Sequence, residues 1–420
     1  MKNLSVTNAL LTTLVATSAG AQTPPPSEST PTGSDLVLTS SPELTAKGIA
    51  IAENFQAWVH QLDPFLIQFT EQVGIRWYGL AYLCGFFVGY LLMVMIARRG
   101  LVAADGSRSL TEEKLGDFLL VIVLGTMLGG RFGYAIFYSQ DLLTDFSGSF
   151  PFWGVLRVWE GGMASHGGIM GIIVAAIWYA RRHKLDWMNL GDLVTLGGSV
   201  GIFAGRIANF INGELYGRPV SGPLSWAVKF PSEAYLWLKY DVEKPITSTN
   251  PDLLPRLAGA VEALGASAGM QASQWLDVCS RLRTSAGARN QAQHMIHKLI
   301  EATQSGNDAV VQALQPVLTA RHPYQLYGAL LEGLITFAVV LFAWKKPRKP
   351  GVIGGLWISS YAVVRIISEQ FRMPDAHIGF QLFGLTRGQW ISFGMLAVGI
   401  AIFIWALKRN TQPIGGWGKR

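Results

Sequence analysis

The stretch Gly205-Arg-Ile-Ala-Asn-Phe-Ile-Asn-Gly-Glu-Leu-Tyr-Gly217 ends a hydrophobic segment that starts near Leu193. Arg206, Asn209, Asn212 and Glu214 crowd into it between Gly205, Gly213 and Gly217. An arginine close to hydrocarbon is costly unless it meets an anion, an acid or water. Asn209 follows Arg206 by three residues and so shares its helix face. The glycines let the backbone leave the helix and approach a bound group. Together these residues read as a receptor for a negatively charged head group at a membrane surface. The plainer reading is a packed polar knot that joins two helices.

Working outward, composition supports a membrane setting. Half of the 420 residues are apolar and only 15% are charged, with 47 Gly, 21 Phe and 14 Trp. That describes a multi-pass membrane chain and excludes an ordinary soluble basic protein. The net charge of +7 does not indicate nucleic acid, because the basic residues collect where hydrophobic segments end. These are Arg98-Arg99, Arg181-Arg182-His183-Lys184, Lys345-Lys346-Pro347-Arg348-Lys349, and Lys408-Arg409 with Lys419-Arg420. They read as cytoplasmic anchors. Cys84 falls in a membrane segment and Cys279 in a polar one, so no disulfide framework is indicated. Neither has metal-ligand company, and neither a metal nor a cofactor is expected.

The expected fold is an all-α polytopic membrane protein with about seven transmembrane helices, an amphipathic N-terminal arm and a helical extracytoplasmic insertion. Residues 1–21 end in Ala19-Gly20-Ala21 and read as a signal peptide; the Pro-, Ser- and Thr-rich residues 22–42 read as a disordered linker. Apolar residues at three-and-four spacing predict an amphipathic helical arm over 43–76, with His60 an interfacial polar residue. Residues 77–230 form the first part of the membrane core, with spans near 77–97, 118–138, 167–180 and 193–210. Residues 231–320 are polar and read as an insertion of three or four helices, in which His294 and His297 are taken as solvated surface. Residues 321–410 supply spans near 324–344, 353–371 and 390–407, and residues 411–420 form a tail. With the amino terminus outside, every basic cluster falls in the cytoplasm and the opening stretch faces out.

Further polar groups point to the same end. His166 lies between glycines at the start of the third span; the plain alternative is a histidine bonded at a helix end. Arg365, Glu369 and Arg372 fall within roughly 60° of arc on the sixth span and so form one polar stripe. Such a stripe must face the protein interior or a water-filled cavity. Arg365 and Glu369 read either as an ion pair or as part of an anion site. Tyr78 follows Arg76 and Trp77 where interface anchors are expected. His322, after Arg321, opens the fifth span, and Arg131 lies within the second. No nucleophile elbow, zinc-protease motif or phosphate loop occurs. Paired arginines suit a phosphodiester and stabilise charge on a leaving phosphate. Chemistry alone therefore leaves two readings, a lipid head-group transferase, or a lipid transporter or flippase with an arginine-lined head-group site.

The chain also resembles the prolipoprotein diacylglyceryl transferase family. The resemblance rests on Arg76-Trp-Tyr-Gly-Leu80, Leu128-Gly-Gly-Arg-Phe-Gly-Tyr134, Trp159-Glu-Gly-Gly-Met-Ala-Ser-His-Gly-Gly168 and the opening stretch. It continues through His322-Pro-Tyr-Gln-Leu-Tyr327, Arg365 to Asp375, and Gly388-Gln-Trp-Ile-Ser392. It implies transfer of the diacylglyceryl group of phosphatidylglycerol to the lipobox cysteine of a prolipoprotein, in the bacterial cytoplasmic membrane. The site would face the periplasm and the carboxyl terminus the cytoplasm. By that resemblance Arg206 and Arg365 hold the phosphate and His166 is the base for the thiol. Tyr78, Arg131, Asn209, Asn212, Glu214, Gly217, His322, Glu369 and Arg372 would bind substrate. The partners implied are phosphatidylglycerol, the lipobox segment and membrane lipids, and a monomer suffices. The chain departs from the pattern at Gly328, where glutamate is common, and at Gly394, where proline is. Neither position is expected to touch the arginines.

Overall fold

The computed structural model describes residues 56–69, 74–98, 112–148, 150–157, 162–243, 252–373 and 381–417. The expected signal peptide and linker lie outside these residues. So do the arm as far as residue 55, Trp159 to Gly161 of the third motif, Asp375, and Lys419-Arg420.

The membrane core is built from helices α1 (Trp77–Arg98), α2 (Glu112–Phe137), α3 (Ser165–Arg182) and α4 (Trp187–Ile211). The insertion contributes α5 (Glu233–Glu243), α6 (Ala258–Ala263), α7 (Ala272–Ser280), α8 (Ala286–Gln304) and α9 (Asp308–Leu314). The core then resumes with α10 (Tyr324–Ala343), α11 (Val352–Ser368) and α12 (Arg387–Lys408). By length and composition α1, α2, α4, α10 and α12 can cross a membrane; α11 is apolar but shorter. With α3 they complete an all-α polytopic membrane fold. Cys84, on α1, and Cys279, on α7, are both free thiols.

Small residues set the helix packing, as expected where lipid offers no competing hydrophobic drive. A Cβ on Gly89 would lie 2.6 Å from the Cα of Gly197, and one on Gly133 would lie 2.7 Å from the Cα of Gly167. These contacts bring α1 against α4 and α2 against α3. Gly333 lies as closely on Phe203, which seats α10 on α4, and Gly355 on Phe403 joins α11 to α12. At the other end of α4, buried Asp192 accepts hydrogen bonds from the backbone N–H groups of Gly351 and Gly354, at 2.8 and 2.6 Å. It thereby satisfies amides at the start of α11 that have no partner within the helix. The tail is anchored, with the backbones of Arg348 and Ile414 exchanging hydrogen bonds.

The arm is not helical where it is described. It forms β1 (Trp58–Val59), β2 (Phe65–Gln68) and β3 (Gly74–Arg76). Pro64 removes an amide donor and disfavours a helical Asp63, which breaks the apparent helical period in its middle. Strands β2 and β3 pair antiparallel. Strand β1 pairs parallel with β4 (Val228–Lys229), which in turn pairs antiparallel with β5 (Ala320–Arg321). This small sheet lies beside the opening stretch. The insertion has its own core, where Leu254, Val261, Trp275, Ile296 and Val310 are wholly buried. His294 and His297 are exposed, the latter 3.1 Å from Glu301.

Candidate active site

Arg206 is carried near the end of α4 and Arg365 near the end of α11, and both reach Glu332 on α10. Arg206 Nη2 lies 2.8 Å from Glu332 Oε2, and Arg365 Nη1 lies 2.9 Å from Oε1. The carboxylate is wholly buried, and Ser368 Oγ and Tyr324 OH also donate to Oε1, at 2.6 and 3.0 Å. Arg365 Nη1 donates to the Tyr324 hydroxyl as well. The two guanidiniums lie 5.3 and 5.9 Å from the Tyr324 ring centroid, within cation–π range. Glu332 sits in a π-helical turn spanning Ala329–Ile335, a local widening that recurs at functional sites.

The arginines therefore converge on a carboxylate from a third helix. An uncompensated pair of buried guanidiniums would repel and desolvate, and Glu332 removes that cost while fixing both in place. The Gly328 departure also meets an arginine, contrary to expectation. A Cβ there would lie 3.1 Å from Cδ and Nε of Arg206. Position 328 faces the same cluster as Glu332, one helical turn away, because residues four apart share a face. Around Gly394 there is open space.

Arg365 Nη2 also lies 3.0 Å from Glu369 Oε2, and Arg372 Nη1 lies 3.8 Å from the same oxygen. Thr386 Oγ1 donates to Glu369 Oε1 at 3.2 Å, tying the start of α12 to the stripe. The expected stripe is thus a network in which each carboxylate serves more than one cation.

Beside it lies a second cluster. Tyr78 OH donates to Glu214 Oε1, and Asn209 Nδ2 donates to Tyr78 OH and, at 2.8 Å, to Glu214 Oε1. Tyr78 is thereby more than an interface anchor, since its hydroxyl is engaged with the opening stretch. Gln325 Nε2 donates to the Glu214 carbonyl at 2.6 Å. Asn212 caps the end of α4, and its buried Oδ1 accepts no hydrogen bond among the described residues. Gly217 is squeezed between two chain segments, where a Cβ would lie 2.5 Å from the His322 carbonyl oxygen and 2.6 Å from that of Phe371. His322 Nδ1 lies 3.3 Å from Tyr327 OH, and burial pushes the pKa of its imidazole down from the usual histidine value.

Two expected residues lie apart from these clusters. The Arg131 guanidinium is buried and donates to the carbonyls of Val155, Gly154, Arg157 and Gly162. This geometry has Arg131 hold the loop leading into α3. His166 occupies the first turn of α3 and is exposed, with no hydrogen bond or ion pair among the described residues.

Sequence reading passed over Glu332, Tyr324 and Ser368 as site residues. An acid inside an apolar span was the available signal for Glu332. Nothing in the sequence marked His60. It is buried with its Nε2 2.7 Å from the Phe210 carbonyl oxygen, and is not the interfacial residue expected.

The fold and the site define a polytopic helical membrane protein whose buried cations are gathered from separate helices at one end of the bundle. Such a site suits an anionic lipid head group. Residues 64–405 match the family model for prolipoprotein diacylglyceryl transferase. A phosphatidylglycerol–prolipoprotein diacylglyceryl transferase of Bdellovibrio bacteriovorus is 44% identical over 359 residues, which cover 86% of this chain and 97% of that protein. Like-named proteins of Neisseria gonorrhoeae and Ralstonia pickettii are each 33% identical, covering 82% and 83% of this chain and 96% and 95% of their own length. The chain belongs to the prolipoprotein diacylglyceryl transferase family.

Proposed function

We propose that the protein transfers the diacylglyceryl group of phosphatidylglycerol to the thiol of a prolipoprotein lipobox cysteine, in the bacterial cytoplasmic membrane. The observation that carries this reading is the meeting of Arg206 and Arg365 on one carboxylate. Two guanidiniums fixed at one point can grip one phosphodiester and hold the charge that develops as it leaves. The cysteine sulfur attacks the glyceryl carbon next to the phosphate, a carbon–sulfur bond forms, and the carbon–oxygen bond to phosphate breaks. Glycerol phosphate leaves with the bonding electrons, and the product is a thioether.

A thiol has a pKa of about 8.5, so a base or a nearby cation must raise its thiolate fraction. His166, exposed at the start of α3, takes the proton in this reading. The Tyr78–Asn209–Glu214 cluster, with Asn212, Gly217, His322, Glu369 and Arg372, orients lipid and peptide. Arg131 supports His166 through its loop. Basic residues at the opposite helix ends favour a site on the periplasmic face and a carboxyl terminus in the cytoplasm. A single chain contains every group the reaction uses.

The test combines purified protein, phosphatidylglycerol and a lipobox peptide, with mass spectrometry of the peptide. The expected result is a diacylglyceryl mass gain on cysteine, abolished in Arg206→Ala and Arg365→Ala. Lipid translocation without thioether formation overturns the reading.

A further inference from the structure

The opening stretch is held from outside by a segment that precedes the stretch matched to the family, which begins at residue 64. The imidazole of His60 packs against the rings of Phe210 and Phe230, with centroids 5.5 and 5.3 Å away. Its Nε2 lies 2.7 Å from the Phe210 carbonyl oxygen. A carbonyl only accepts, so Nε2 carries the proton and donates. Phe210 immediately follows Asn209 in the last turn of α4, where carbonyls lack partners within the helix. The same oxygen also accepts from the Gly213 N–H at 2.9 Å. Gly213 has φ +65°, a left-handed conformation that glycine adopts freely. A Cβ there would lie 3.2 Å from the His60 ring. The imidazole thus rests on the turn that carries the chain from Asn209 to Glu214.

His60 is itself held. Its N–H donates to the Lys229 carbonyl at 2.8 Å, and β1 pairs with β4. Lys229 Nζ donates to the Gln315 carbonyl, and Gln315 Nε2 donates to the Ala57 carbonyl at 2.8 Å. Gln315 closes α9 of the insertion. The N-terminal strand and the insertion therefore lock to each other, and His60 is where that assembly meets the exit of α4. A second grip acts on the far side of the turn. Arg321 is paired with Glu233 of the insertion at 2.5 Å and donates to the Gly217 carbonyl at 3.2 Å.

We propose that His60 is a positioning residue, clamping the exit of α4 so that Asn209 and Glu214 are presented to substrate in one geometry, with the insertion acting through Gln315 to hold the clamp shut. The inference rests on the transfer reaction proposed above. It makes the segment before residue 64 part of the working enzyme and gives the insertion a role in the turn rather than in the chemistry.

The experiment uses the full chain in phosphatidylglycerol-containing detergent micelles with a lipobox peptide. It compares wild type with His60→Ala, His60→Gln and Gln315→Ala. Loss of placement near a reacting centre costs roughly 10–100-fold in turnover. His60→Ala is therefore expected to lose kcat on that scale while KM for lipid and peptide stays near wild type. His60→Gln, whose carboxamide can still donate to the Phe210 carbonyl, should recover most of the loss. Amide hydrogen exchange at Gly213 and Glu214 should accelerate in His60→Ala and in Gln315→Ala.

Wild-type kcat in His60→Ala, or a His60→Gln variant as impaired as alanine, overturns the proposal. If His60→Ala does not assemble, Gln315→Ala decides. A reduced kcat with faster exchange in the turn supports the clamp, and an unchanged kcat overturns it. If wild type transfers no lipid, the proposed function fails by itself. Exchange at Gly213 and Glu214 then still judges the clamp, since unaltered exchange in the variants overturns it and faster exchange supports it.

Discussion

Arg206 on α4 and Glu332 on α10 are joined by a 2.8 Å ion pair whose carboxylate is wholly buried. The other oxygen of that carboxylate takes Arg365. A single acid thus sets the separation of two cations from different helices. Its own place is fixed by Tyr324 and Ser368, which donate to it from α10 and α11.

Glu332→Gln should therefore be damaging although it keeps shape and removes no apolar contact. Two buried guanidiniums would lose their shared counter-charge, a change that typically costs about 3–5 kcal/mol when one partner of a buried pair is removed. The expected outcome is a lower thermal midpoint in detergent and a large fall in transfer rate. A Glu332→Gln protein with wild-type turnover would show that the arginines are placed by something else.

Tyr78→Phe removes only the hydroxyl that links Asn209 to Glu214. A hydrogen bond to a charged group is worth about 1.5–3 kcal/mol, so turnover should fall by roughly tenfold or more. Because Tyr78 and Asn209 act on the same carboxylate, the losses in Tyr78→Phe and Asn209→Ala should not add in the double variant. Additive losses in a steady-state transfer assay would place the two residues in separate roles.

Two glycines of the opening stretch should respond in opposite ways. At Gly217 a methyl group meets two backbone carbonyls at 2.5 and 2.6 Å, neither of which is a flexible side-chain end. Gly217→Ala should cost about 1–3 kcal/mol by overpacking and should abolish most activity. At Gly205 an added methyl group would meet nothing within 4 Å, so Gly205→Ala should retain activity. Parallel expression, thermal melting and transfer assays of the two variants check both outcomes.

Stability should fall on mild acidification through His60. Burial lowers its pKa from 6.5 to about 4. The unfolded chain therefore binds more protons than the folded one across that window, and stability rises with pH there. The contribution is complete above 6.5 and is lost as pH falls towards 4, on the order of 3 kcal/mol at full extent. Thermal midpoints between pH 4 and 7 should drop more steeply with acid in wild type than in His60→Gln. Equal slopes would exclude His60 as the source.

The Cys279 thiol should resist alkylation. Burial, reinforced by Asp241 and Asp252, pushes its pKa up to about 12, leaving almost no thiolate near neutrality. Iodoacetamide at pH 8 should label it far more slowly than a free cysteine peptide, as mass spectrometry of the α7 peptide would show.

Much of the fold was written in the sequence because hydrophobic length and basic flanks are local properties that the bilayer reads directly. The helical core, the polar stripe through Arg365, Glu369 and Arg372, and the crowding of Arg206, Asn209 and Glu214 in one stretch all follow from residue type and spacing. Other features depend on partners distant in the chain, and no periodicity encodes those. Residues 56–76 carried an apolar spacing that suggested a helix, yet β1 exists because Val228 and Lys229 offer it an edge. Gly205 and Gly217 look alike in sequence and differ only in what packs against them. Only the tertiary structure gave Arg206 and Arg365 a common acid, turned Arg131 onto the carbonyls of a loop, and put His60 against the end of α4. The physical reason is that a buried charge or donor must be matched by whatever the folded chain brings within hydrogen-bond reach, and that match is made across helices.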